Sequence, residues 1–143
     1  MARTVDIDFT FEDAIDVSTA IRTLLEAGMR PSREGEVAYL IDEDGMFDWQ
    51  RIEEGRLDEV IFKMGESRWG DRVVGITLFF PDVNSGGDFL FHPGRNSISC
   101  VIGVNPKLLS GSSRFCDIGW YLVWLVPLFE SLGLSEIEAR DSV

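Results

Sequence analysis

Apolar and polar residues change period several times along the chain. From Thr4 to Phe11 they alternate: Val5, Ile7, Phe9 and Phe11 are apolar, while Asp6, Asp8 and Thr10 are polar. A period of two predicts a strand with one buried face. Beyond it the period lengthens. Ala14, Val17, Ile21, Leu24 and Leu25 fall at helical spacings, and Glu12, Asp13 and Asp16 stand where a helix N-terminus favours anions. Gly28 and Pro31 are stop signals for that helix. Glu36 to Ile41 alternates again, and Asp42-Glu43-Asp44-Gly45 closes it as a turn. From Trp49 the spacing reads as helical: Trp49, Ile52, then Leu57, Val60, Ile61 and Met64, with Gly55 dividing a short helix from a longer one. The run Val60-Ile61-Phe62 fits a helix or a strand.

Three strand candidates follow. They are Arg72 to Phe80, Asp88 to His92, and Ser97 to Val104, separated by the loop 81–87 with its Gly86-Gly87 and by Pro93-Gly94-Arg95-Asn96. Such short connections predict an antiparallel meander. Cys116 to Leu132 then reads as a helix apolar nearly all round, interrupted by Pro127 and ended by Gly133. A short strand at Ile137 to Ala139 closes the pattern. The expectation is an α+β fold in the order β-α-β-α-β-β-β-α. It has a single, mainly antiparallel sheet of about five strands, with helices packed on one face. No repeat or linker divides residues 1–143, so one domain is expected.

Composition agrees with a packed core. Of 143 residues, 45% are hydrophobic and 11% aromatic, which sets the chain apart from disordered sequences. The longest apolar stretch, Gly119 to Phe129, is about half a membrane span, and the N-terminus lacks the pattern of a secretory signal. Two cysteines make no disulfide framework. The expected setting is the cytoplasm, away from the membrane. The net charge of −12 argues against nucleic acid, whose phosphates need clustered Lys and Arg. That charge is uneven. Residues 1–66 hold 17 acids and 7 bases, whereas residues 67–143 hold 8 and 6. An acidic face of this kind either solvates the protein or steers a basic partner toward it.

The chain offers little for catalysis. His92 is the only histidine, so any His-dependent general base would have to use it. Cys100 lies mid-strand and Cys116 at a helix start, where the dipole can lower a thiol pKa; both are expected to be buried, inert thiols. Asp42 and Asp44 alternate as calcium ligands do, but Gly45 comes too early for an EF-hand loop. Zinc spacings and nucleotide-binding glycine motifs are absent. No enzyme activity, metal or cofactor is expected. Two other readings stay open. One is a small-molecule or regulatory module with a pocket between sheet and helices near Trp120 and Trp124. The other is an enzyme built on paired carboxylates.

The strongest positive feature is the acidic stretch 42–59. It holds Asp42, Glu43, Asp44, Asp48, Glu53, Glu54, Asp58 and Glu59 against Arg51 and Arg56, with Phe47 and Trp49 set among the acids. Aromatic anchors inside a charged rim are what protein interfaces favour. A solvated helix face is the alternative meaning. The apolar C-terminal helix could also join two copies of the chain.

The layout also resembles a known class. Gly86-Gly87-Asp88-Phe89-Leu90-Phe91, the strand Ile98 to Val104, and Asp117-Ile118-Gly119-Trp120-Tyr121-Leu122 opening a long apolar helix are similar to features of small α+β immunity proteins. These proteins belong to bacterial contact-dependent inhibition and polymorphic-toxin systems. The resemblance implies a binder that occludes the active site of a cognate toxin, often a basic nuclease.

Overall fold

Alternation at the N-terminus produces the strand it predicts. In the computed structural model, which describes residues 4–142, β1 is Thr4–Phe11, with Val5, Ile7, Phe9 and Phe11 all buried. The first helix, α1 (Val17–Glu26), is capped by Asp16, whose carboxylate accepts from the Thr19 amide at 3.0 Å and the Thr19 hydroxyl at 2.7 Å. Glu12 and Asp13 precede this cap and lie outside the first turn. Gly28, at φ +106°, ends the helix in a conformation that a side chain would strain. β2 follows at Glu36–Ile41.

The next segment departs from expectation. Gln50–Glu53 is a strand, β3, not a helix, and it pairs antiparallel with β2. The spacing of Trp49 and Ile52 mimics a helix because this edge strand has one apolar inward residue, Ile52. Its other inward position holds Gln50, which accepts a hydrogen bond from the Tyr39 hydroxyl at 3.0 Å. A single 3-10 turn, Glu54–Arg56, leads into α2 (Leu57–Met64). Val60-Ile61-Phe62 is therefore helical, with Val60 and Ile61 buried and Phe62 facing out.

Three strands complete the meander: β4 (Val74–Phe79), β5 (Gly86–Phe91) and β6 (Ser97–Val104). Gly86 and Gly87 belong to β5, not to the preceding loop. The last helix, α3 (Ile118–Glu130), is capped by Asp117 and runs through Pro127. Cys116 sits just before it. β7 spans Leu134–Ser142, nine residues where only a short strand was expected. The sheet thus has seven strands, not five, in the order β3-β2-β4-β5-β6-β1-β7, and every neighbouring pair is antiparallel. The element order is β-α-β-β-α-β-β-β-α-β.

Register sorts the side chains into two faces. Phe9 lies opposite Ile98, Phe91 opposite both Ile98 and Val74, Phe89 opposite Ile76, and Ile76 opposite Tyr39. These inner-face residues join Ile21 and Leu24 of α1, Ile61 and Met64 of α2, and Tyr121, Leu125 and Phe129 of α3 in one core. Phe129 meets Phe9 edge-on at 4.7 Å and Phe11 at 5.7 Å between ring centroids. Such pairs add to simple burial. Arg95 is a buried cation with a structural task. Its guanidinium donates to the carbonyls of Arg72, Phe91, His92 and Trp69 at 2.6 to 3.1 Å, stitching two loops together.

These contacts predict opposite outcomes for two residues of α3. Phe129→Ala should cost about 3–5 kcal/mol, the usual range for an emptied aromatic core position. Val123→Ala, at a position 75% exposed, should stay within about 0.5 kcal/mol. Urea unfolding midpoints measure both.

Candidate functional site

The sheet face opposite the helices carries a cavity. It encloses about 450 Å³, within the range of small-ligand sites. Its floor is built from outward positions of neighbouring strands: Ala38 on β2, Thr77 on β4 and Asp88 on β5. Thr77 and Asp88 are register partners, and the Thr77 hydroxyl donates to Asp88 Oδ1 at 2.7 Å. Arg51 of β3, which pairs with Ala38, stands at the rim beside Glu36 and the loop residues Arg33 and Glu34. Trp49 and Phe79 supply aromatic walls.

Two glycines make those walls possible. A Cβ on Gly75 would lie 3.3 Å from the Trp49 ring and closer still to the Leu90 side chain. A Cβ on Gly86 would lie 2.5 Å from the Phe79 ring and 2.8 Å from the Leu78 carbonyl oxygen. Each ring covers a bare stretch of strand, as aromatics do over sheet glycines. Arg33 in turn places its guanidinium 4.8 Å from the centre of the Phe79 ring. Trp120, expected to line a pocket between sheet and helices, is part-buried against the core. Trp120 packs edge-on against Phe80 and Tyr121 at 5.4 and 4.9 Å. The open cavity lies on the other side of the sheet.

The acidic stretch 42–59 maps onto the β2–β3 hairpin and α2. Asp42 is buried, and its Oδ1 accepts from the Phe47 amide at 3.1 Å. Asp44 accepts from the Met46 amide at 3.0 Å. These bonds shape the hairpin loop, where Met46 is 70% and Phe47 52% exposed. Phe47 has φ +53°, a left-handed conformation costly for a bulky side chain. Three acids have internal partners: Glu43 with Lys63 at 4.0 Å, Asp58 with Arg22 at 3.2 Å, and Glu59 with Arg56 through two bonds. The hydrogen bonds between Arg56 and Glu59, and after them their opposite charges, raise the Arg56 pKa and lower that of Glu59. Asp48, Glu53 and Glu54 are exposed, and among the described residues none forms an ion pair within 4.0 Å. Trp49, read among the acids as an anchor, belongs to the cavity on the open face, while Phe47 stands at the loop tip.

Comparison with family models, with curated proteins and with solved structures finds no match.

The remaining candidate groups divide plainly. His92 Nε2 is 2.7 Å from Ser99 Oγ, and the Ser99 hydroxyl donates to Asp8 Oδ1 at 2.6 Å. The serine proton points at the carboxylate, so the imidazole donates to Ser99 rather than activating it. This is the reverse of a hydrolase relay, in which the histidine takes the serine proton. Cys100 and Cys116 are buried, and burial pushes the Cys100 thiol far above its ordinary range. No group of three or more His, Cys, Asp or Glu side chains among the described residues could hold a metal ion. No helix among them is long and apolar enough to cross a membrane.

Both thiols should resist an aromatic disulfide reagent in the native protein and react fully in denaturant. Because the folded Cys100 keeps its proton where an unfolded thiol loses it, the folded state binds more protons at alkaline pH. Its contribution to stability is intact below the ordinary thiol value of 9.0 and declines above it. Urea titrations between pH 7 and pH 10, as an order-of-magnitude window around that value, should show the loss, and Cys100→Ala should remove this part of it.

Proposed function

We propose that the chain is an immunity-type binding protein that neutralises a basic protein toxin, with the acidic hairpin and α2 as its contact surface. The observation that supports this most is Phe47. It is a phenylalanine held in a left-handed conformation, half-exposed, and fixed there by a buried carboxylate. Backbone strain persists where surrounding structure enforces it, and such sites concentrate at functional surfaces. Around Phe47 stand Met46, Glu43, Asp44 and Asp48, with Glu53 and Glu54 further along the hairpin. Phe62 on α2 is 74% exposed, and the Glu43–Lys63 pair brings α2 against the loop.

Such a surface suits a partner rich in Lys and Arg. The acids take the place of substrate phosphates and pair with the toxin's basic active-site groups, while Phe47 and Met46 enter an apolar hollow. Asp42 shapes the loop and makes no direct contact. Asp58 and Glu59 contribute through their field, since exposed ion pairs hold their partners weakly. The protein acts in the cytoplasm, where its toxin arrives.

Titration calorimetry against the protein encoded by the adjacent gene tests this. Affinity should fall steeply between low and high salt. Glu53→Lys with Glu54→Lys should weaken it at least tenfold, largely through the association rate. Phe47→Gly separates function from stability. Glycine relieves the strain, so the melting temperature should hold or rise, while binding should weaken at least tenfold. Salt-independent binding, or full affinity in the Phe47→Gly protein, contradicts the proposal.

A further inference from the structure

The cavity on the open sheet face makes opposite demands at its floor and its rim. At the part-buried floor, the Thr77 hydroxyl gives its proton to Asp88 Oδ1, leaving Oδ2 and the hydroxyl lone pairs to accept. That floor accepts hydrogen bonds and donates none. Phe79 and Trp49 flank it with aromatic surface, which favours a cation. The exposed rim carries both signs. Arg33 and Arg51 line it, and neither has a carboxylate within 4.0 Å among the described residues, although Glu34 and Glu36 line the same cavity. A guanidinium offers five donors and no acceptor, so these two lack the partner they match best, a carboxylate.

We propose that this cavity binds a small zwitterion, with a basic α-amino acid as the simplest member. Its side-chain cation sits down on Asp88 between Trp49 and Phe79. Its α-carboxylate lies between Arg33 and Arg51, and its α-ammonium meets Glu34 and Glu36. A simple cation leaves the arginines unmatched, and a simple anion faces Asp88. The site uses the strands of the hairpin, through Ala38, Trp49 and Arg51, but not its loop acids, and it does not rest on the protein-partner reading.

Calorimetry on the full chain with three probes tests it: L-arginine, agmatine (the same cation without its carboxylate), and inorganic phosphate. L-arginine should bind, agmatine should bind at least tenfold more weakly, and phosphate should give no saturable heat. Arg51→Gln should lower L-arginine to the affinity of agmatine while leaving agmatine unchanged. Asp88→Asn keeps an acceptor for Thr77 and so spares the sheet, yet it should weaken both cationic probes at least tenfold. Far-ultraviolet circular dichroism confirms that each variant is folded. Ala38→Leu, which fills the floor, should abolish binding in a second, independent way. The proposal is overturned if L-arginine gives no saturable heat up to about 10 mM, well into the weak millimolar regime. It is equally overturned if agmatine binds as tightly as L-arginine, or if phosphate alone saturates the site.

Discussion

One-sided burial of the sheet is the constraint on which the rest of the molecule depends. All three helices contribute to a single core beneath one face, where Phe9, Phe89, Phe91 and Phe129 exclude water. Side chains alternate along a strand, so every residue committed to that core commits its neighbour to the other face. The outward row Arg51, Ala38, Thr77 and Asp88 is the consequence. So is the chain of bonds from His92 through Ser99 to Asp8, which satisfies polar groups on a face without helices. The cavity and the polar network are two uses of the same exposed face.

The same constraint explains why the hairpin can be strained. β2 is anchored on its inner side by Val37, Tyr39 and Ile41 and paired on both edges, so the loop beyond it has a rigid base. Asp42, buried at the end of that strand, then fixes Phe47 in a conformation it would not choose alone. Rigidity in the core and strain at the tip belong together. A loosely held loop would relax the left-handed residue and withdraw its ring.

Legibility in the sequence followed burial. β1 and β6 alternate because one face of each is buried, and their boundaries read directly from Thr4 to Phe11 and Ser97 to Val104, while β2 reads from its inward Val37, Tyr39 and Ile41 although Leu40 is buried on the other face. The two edge strands read poorly for the converse reason, β3 as a helix and β7 only as a short strand at Ile137 to Ala139. β3 carries one inward apolar residue and one glutamine, and β7 is exposed over nearly its whole length, so neither prints a period. Edge strands tolerate charge for their own protection, which erases the pattern further. The acidic hairpin was legible as a composition run, although the separate tasks of Asp42, Phe47 and Trp49 were not. The cavity was invisible because its lining comes from distant elements. Gly75 and Gly86 support its walls, a role that shows only once register places aromatic rings over them.

On the proposed reading a basic partner docks on the acidic hairpin and α2, clear of α3 and β7. Backbone amide shifts, mapped by heteronuclear NMR during titration with the adjacent gene's product, test this most directly. Perturbations should concentrate in residues 43–54 and along α2, with α3 and β7 unmoved. Perturbations centred instead on Val123 and the outer face of α3, or on β7, would contradict it.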